Sequence, residues 1–485
     1  MAPQNILDLP PEIQLSILEW LMEPQNYPNG SKTCLSTCAS VCKRWQLIVE
    51  QRTFRHLILH PSDIEAFARL ARSYRRGYIK HILLKIPIED AEIFRDEALT
   101  DDENTVIFTQ TVRHLWEVLS TWRDYRIAVE LGIVSSFEVR MHDDYENIRR
   151  AYSRFLEQGF YEAALPDPHL EHLKHFENPP TDPSWLDFWN FQKWRFLGTT
   201  PLEFGYGRLL DREDQDAPHI PKAEVITRLL IRRRYIRNIS AKALSQIFNA
   251  TPCIEAIHLE RWCYGRRRHD RKWDMHSALT GHELPHSLKQ FSFYEEFSTM
   301  YHRQPGKMRI PRSNRKLLKG LLETRRHLEH LSVSLAIDAR GFFSPNPQLD
   351  WMFLKTIALT SDILVSRSSA KVNELLESAA KAAKKMPKLE ILEIWYCKTG
   401  EAGIFQYEKS DRSGNIIWQG TWSFYLSKQI EEAWHEVFAE PELGRYELGV
   451  KVLNLVPEDF ASFESVFSYL KLKKHILHDV SWTQV

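Results

Sequence analysis

The sequence has little glycine, little cysteine and no surplus of either charge. Its 485 residues include only 18 glycines, few for loops that cradle phosphates. There is no GxSxG, HExxH, Walker loop or glycine-rich dinucleotide pattern, so the chain is read as non-catalytic and without a cofactor or metal. Six cysteines in a chain of this length do not make a disulfide framework. No apolar run approaches the roughly 18 residues of a membrane span. The N-terminus, Met1-Ala2-Pro3-Gln4-Asn5, lacks a basic stretch followed by an apolar one. These absences predict a cytoplasmic or nuclear chain with no membrane partner. Lys plus Arg and Asp plus Glu both number 64. That balance argues against a general nucleic-acid binder, which needs a basic excess to displace counterions, but leaves room for a local basic patch.

What is present is the composition of a folded chain, 43% hydrophobic and 26% charged, long enough for two or three domains. Near the start, Pro10 and Pro11 suit a first helical turn, and Glu12 sits where the helix dipole favours a negative charge. Ile13, Ile17, Leu18 and Leu21 then form one apolar helical face. Pro24 and the Pro28-Asn29-Gly30 turn end that helix. A second helix is predicted from about Thr33 to Gln51, with Leu35, Cys38, Cys42 and Trp45 on one face and Lys43 and Arg44 among them. Phe54-Arg55-His56-Leu57 follows as a closing segment. Sixty residues with two short helices bury little surface of their own, and so broad an apolar surface docks on a partner or on the neighbouring domain. Cys34, Cys38 and Cys42 fall four residues apart on one helix. Stacked that way they cannot close a tetrahedral metal site without a distant fourth ligand, and small buried cysteines are the alternative.

The order Leu9-Pro10-x-Glu12-Ile13, Ile17-Leu18-x-x-Leu21, Leu35, Val41-Cys42-Lys43-Arg44-Trp45 and Phe54-x-x-Leu57 resembles an F-box over residues 5–57. The resemblance implies docking on the Skp-type adaptor of SCF ubiquitin ligases, and through it on a cullin. It places Leu9, Pro10, Ile13, Ile17, Val41 and Trp45 on the adaptor-facing surface, with Glu12, Leu18 and Lys43 completing the set. The stretch Met22 to Lys32 is longer than the usual link between the first helices.

From residue 58 a local pattern recurs: Leu or Ile, a charged or polar residue, then two apolar residues separated by one. It begins at Ile79, Ile254, Leu288, Leu328, Leu354 and Leu389. Helical stretches fill several gaps: Ala241 to Asn249, Ser313 to Arg326 and Ala370 to Met386. Units of this kind bury their apolar side only by stacking. Leu389-x-x-Leu392-x-Ile394-x-x-Cys397 comes nearest to a leucine-rich repeat. The expected fold class is therefore mixed α/β: a helical F-box over residues 1–60, an irregular leucine-rich-repeat-like α/β solenoid over 61–400, and an α+β region over 401–485 that continues or caps it. A helix is predicted from Thr105 to Glu130. In the last region, strands at 404–408 and 416–420 form a hairpin. A helix from Ser427 to Phe438, a strand from Leu448 to Leu455 and a helix from Pro457 to Lys474 follow. Trp418 to Trp434 resembles the C-terminal region of some filamentous-fungal F-box proteins, from which no activity follows.

Other candidates carry two readings each. The aromatic run Pro183 to Trp194 serves as surface anchors or as a buried cluster. His169, His172 and His175 approach a metal on a tight helix or lie in an exposed polar stretch. The basic run Arg266 to Trp273, with Arg232-Arg233-Arg234 nearby, contacts nucleic acid or an acidic partner, or is a solvated face. The expected function is substrate recognition for an SCF-type ligase, with an unidentified target on the concave face of the solenoid. An F-box-like scaffold acting without a ligase is the alternative, as is a binder using the basic run.

Overall fold

A computed structural model describes residues 9–22, 35–88, 97–135, 200–205, 219–233, 235, 237–262, 285–296, 314–323, 327–344, 351–410, 413–438, 447–461, 463–478 and 481. The chain is mixed α/β. It opens with helices α1 (Pro11–Met22), α2 (Leu35–Val41) and α3 (Lys43–Thr53). The helix predicted from Thr33 to Gln51 is thus two, because Cys42 is extended, with φ −160° and ψ 167°, and turns the chain between them. No glycine or proline marks that break.

Among the described residues one twelve-stranded sheet follows in chain order. It comprises β1 (His56–Leu59), β2 (His81–Ile88), β3 (Ile127–Ser135), β4 (Ile226–Ile231), β5 (Ala256–Trp262) and β6 (Gln290–Glu296). It continues with β7 (His330–Ser334), β8 (Thr356–Thr360), β9 (Ile391–Lys398), β10 (Glu401–Lys409), β11 (Ser413–Gly420) and β12 (Glu447–Asn454). Every neighbouring pair from β1 to β9 is parallel. β9, β10 and β11 are antiparallel, the last two forming the predicted hairpin, and β11 and β12 are parallel again. β1 already belongs to the sheet, and the sheet passes residue 400 in a single turn at Gly400, whose φ of +73° suits glycine.

The recurring motif is the entry to a strand. Ile79, Ile254, Leu288, Leu328, Leu354 and Leu389 are each buried two residues before β2, β5, β6, β7, β8 and β9. The charged residues that follow five of these, with Lys409 at the end of β10, form a further row. Glu255, Lys289, Glu329, Lys355, Glu390 and Lys409 are joined in series, each main-chain N–H donating to the preceding member's carbonyl. Their signs alternate, and Lys355 Nζ lies 2.7 Å from Glu329. Opposite charges across neighbouring strands favour this pairing by about 0.2–1 kcal/mol each.

Helices cover one face of the sheet. α4 (Ile64–Leu70), α5 (Arg75–Tyr78), α6 (Glu97–Ser120) and α7 (Ala241–Asn249) are followed by α8 (Arg315–Glu323), α9 (Ala339–Phe342), α10 (Ser369–Ala383) and α11 (Lys428–Phe438). α7 matches its predicted span and is capped by Ser240, which accepts from the Ala243 N–H. Leu244, Ile247, Leu317, Leu321, Leu376 and Trp434 pack on alternate strand residues such as Ile257, Phe291, Val333 and Leu392 in one core. Two predicted spans are corrected. α6 ends at Ser120 rather than Glu130, and the alternation Ile127, Val129, Leu131, Ile133 builds β3 instead. The predicted helix from Pro457 to Lys474 is 3-10 turns at Pro457–Asp459 and Phe463–Tyr469, then the short α12 (Lys473–Ile476).

Among the described residues no long helix lies on the second face of the sheet. The C-terminal segment lies against it: Phe460, Val466, Phe467, Leu470, Leu472, Ile476 and Leu477 share a core with Tyr294, Ala358, Trp395 and Ile404.

Candidate functional site

Leu18, Cys38, Trp45 and Val49 form a small core where α1, α2 and α3 meet, with Ile17, Leu21, Leu35 and Ile48 around it. One buried polar path crosses it. The Trp45 indole N–H donates to Gln14 Oε1 at 3.2 Å, and Gln14 Nε2 donates to the Leu9 carbonyl at 2.9 Å. A buried amide satisfied on both sides fixes α1 against α3 in one register. Cys38 is in this core, Cys42 is half-buried, and Cys34 lies outside the described residues, as does the Met22–Lys32 link from residue 23 on. Among the described residues no cluster of His, Cys, Asp or Glu is placed to hold a metal.

The nine residues assigned to an adaptor surface divide. Pro10, Glu12, Ile13, Val41 and Lys43 are exposed, and Leu9 and Ile17 are half-buried. Leu18 and Trp45, at 0% and 3% exposure, lie beneath the surface. Both belong to the core that joins the three helices. Ile13 is 48% exposed and Val41 43% exposed, unusual for apolar side chains in so small a unit. Leu15 and Trp20, also exposed, were not singled out from sequence. The signal for them was that α1 is apolar around most of its circumference, which a helix packed on one side does not need.

A second contact joins this helical unit to the sheet region. Glu50 on α3 accepts from Arg75 Nη2 at 2.6 Å and Nε at 3.0 Å, from Tyr74 Oη at 2.9 Å and from Gln46 Nε2 at 2.7 Å. The Arg75 hydrogen bond, assisted by those of Gln46 and Tyr74, outweighs burial and holds the Glu50 carboxyl at about 2. Arg75 also lies over the Phe54 ring, 5.2 Å from its centroid.

The second face of the sheet holds a buried charge network. Glu130 on β3 pairs with Arg232, and His81 Nε2 lies 3.2 Å from the same carboxylate. Burial opposes ionisation of Glu130, but Arg232 and His81 outweigh it and hold the carboxyl below its usual range. Glu260 on β5 accepts from His258, from the main-chain N–H groups of Arg233 and His478, and from the Ser481 hydroxyl. Burial again opposes, and those hydrogen bonds bring Glu260 to about 2. Glu393 on β9 accepts from Gln406 and from the N–H groups of Lys471 and Leu472. There burial prevails and pushes the carboxyl up.

Two expectations change here. Arg232 and Arg233 are buried, so they are neither a solvated face nor a nucleic-acid contact; Arg234 and the 266–273 run lie outside the described residues. The sheet face expected to receive a target is already covered, from β5 to β10, by the chain's own C-terminal segment. The Pro183–Trp194 run and His169, His172 and His175 also lie outside the described residues.

A family model described as F-box-like matches residues 6–60. The chain carries an F-box-like domain there, as its residue order implied. A second family model, described as a family of unknown function, DUF6546, matches residues 283–478. That span includes β6 to β12 and the C-terminal segment. No curated protein matches the chain. No helix among the described residues is long and apolar enough to cross a membrane.

Proposed function

We propose that this chain is a substrate-recognition subunit of an SCF-type cullin–RING ubiquitin ligase. The observation that carries the reading is the exposure of Ile13 and Val41 within the F-box-like domain. Both side chains are near half-exposed although their neighbours Leu18, Cys38 and Trp45 are sealed. Pro10, Glu12, Ile13, Val41 and Lys43 form the adaptor-facing set, with Leu9 and Ile17 at its margin and Trp20 and Leu15 extending it.

Residues 1–60 dock on the Skp-type adaptor, and a leucine-rich-repeat-like region over 61–400, continued through 401–485, receives a target protein. Strands that pair in chain order, each entered at a buried Leu or Ile, support that repeat-like reading. The Glu50–Arg75 clamp makes the two ends one lever, so a target is held at a set position from the adaptor. The chain supplies proximity, and ubiquitin transfer belongs to the partner subunits.

Co-purification tests the reading. The tagged chain is expected to bring down a Skp-type adaptor together with a cullin. Adaptor without cullin would replace the ligase reading with that of a scaffold.

A further inference from the structure

The alternation of β5 to β10 places two largely polar rows on the second face of the sheet. His258, Ser292, Ser332, Ala358, Glu393 and Gln406 are consecutive cross-strand partners. Glu260, Tyr294 and Ser334 form the next row along. A face meant only as core would be apolar, as the opposite face is. The C-terminal segment lies across these rows and bonds to them through its own main chain: its Phe460 and Tyr469 carbonyls accept from the Gly400 N–H and from Gln406 Nε2, and its N–H groups reach two glutamates. Glu393 takes the N–H groups of Lys471 and Leu472, and Glu260 takes the N–H of His478. Ahead of Lys471 and His478 in the chain, Phe463 and Phe467 pack on Trp395, at ring-centroid distances of 5.4 Å and 5.5 Å.

The fit is incomplete. Between the two glutamates, the hydroxyls of Ser292, Ser332 and Ser334 have no hydrogen-bond partner among the described residues, although each side chain is almost fully buried. Each such hydroxyl costs about 1–3 kcal/mol while it is unpaired. Polar groups of this kind point to an occupant that satisfies them better than the chain's own segment does.

We propose that this face is a peptide-binding surface, and that residues 457–461 and 463–478 occupy it as a tethered competitor for the target. It rests on the reading of the sheet region as a target receptor. The occupant it fits is an irregular or extended protein segment. That segment offers consecutive main-chain N–H groups to Glu260 and Glu393, two aromatic side chains to Trp395, and hydrogen-bonding groups to the serine row. A tether of this kind raises the local concentration of the competitor to roughly the millimolar range. Only a target with a better fit, or one already delivered at high local concentration, displaces it.

A labelled synthetic peptide of residues 457–481 tests this on the full chain. It is titrated into wild type and into a chain carrying Phe463→Ala and Phe467→Ala, which weaken the tethered copy. The expected result is binding about tenfold or more tighter to the weakened chain, and loss of that gain when Glu393→Ala and Glu260→Gln are added. Equal affinity for both chains, or none for either, overturns the proposal. Should the weakened chain fail to fold, amide exchange on wild type decides. The tethered segment is expected to open on its own, with residues 463–477 exchanging about tenfold or more faster than β5 to β9. Exchange of both only together, by global unfolding, overturns it. Adaptor capture is scored on the same samples: its loss counts against the ligase reading and leaves the assignment of this face intact.

Discussion

Arg75 grips Glu50 with two nitrogens, Nη2 at 2.6 Å from Oε1 and Nε at 3.0 Å from Oε2. Glu50 lies in the last turn of the third helix of the F-box-like unit, and Arg75 opens α5, just before the second strand of the sheet. Planar two-point pairing fixes an angle as well as a distance. The pair thus helps to set how the F-box-like helices stand relative to the following strands, together with Tyr74 on Glu50 and Arg75 over Phe54. Glu50→Ala is expected to cost about 2–3 kcal/mol, and Arg75→Lys to recover only part of the contact. Urea denaturation measures both. The Glu50 carboxyl sits at about 2 against an ordinary 4.5, so its contribution is complete above about 4.5 and is lost as pH falls toward 2.

Trp45 and Ile13 separate folding from docking. Trp45→Phe keeps most of the ring and loses the hydrogen bond to Gln14, leaving a buried amide half-satisfied, and is expected to cost about 1–3 kcal/mol. Trp45→Ala opens a cavity and is expected to cost about 3–5 kcal/mol. Ile13→Asp changes an exposed position and is expected to leave the melting temperature within about 2 °C of wild type. Thermal unfolding followed by circular dichroism checks all three.

The second face predicts an acid-labile segment. Burial, then His258, Arg232 and the opposing pull of Glu130 and Glu260, set the His478 imidazole at about 4. Burial, then His330 and His258, set His475 at about 4. A folded-state value below the unfolded value near 6.5 means the unfolded chain takes up protons first. Stability therefore falls as pH drops from about 6.5 toward 4, well before Glu50 or Glu260 titrates. Melting temperatures across that range are expected to decline, and His475→Phe to flatten the decline.

Arg232 is the partner of a fully buried carboxylate, so its removal strands Glu130. Arg232→Ala is expected to cost about 3–5 kcal/mol, whereas Glu130→Gln with Arg232→Met costs less than the single change. Chemical denaturation of the two variants measures the difference. A double variant less stable than Arg232→Ala would contradict the pairing.

The strands were legible where the chain repeats itself. Leu288, Leu328, Leu354 and Leu389 announced β6 to β9 because each fills one core position before its strand. The span of α7 was legible from its apolar period and from Ser240 at its start. β3 was not, since its Ile127–Ile133 alternation follows closely on the helical period of α6 and the break between them holds neither glycine nor proline. Exposure within the helical unit was not legible. Periodicity finds the apolar residues of a helix but not which of its sides is sealed, so neither the burial of Leu18 and Trp45 nor the exposure of Trp20 could be read from it. Glu130, Glu260 and Glu393 were not singled out as site residues because nothing local tells that residues more than two hundred positions later, such as His478 and Ser481, fold over Glu260.

The most direct test is capture of a Skp-type adaptor by full-length wild type and by Ile13→Asp. The account predicts capture by wild type and a loss of about tenfold or more in the variant, equivalent to about 1.4 kcal/mol or more, with an unchanged melting temperature. Equal capture by a folded Ile13→Asp chain would contradict it.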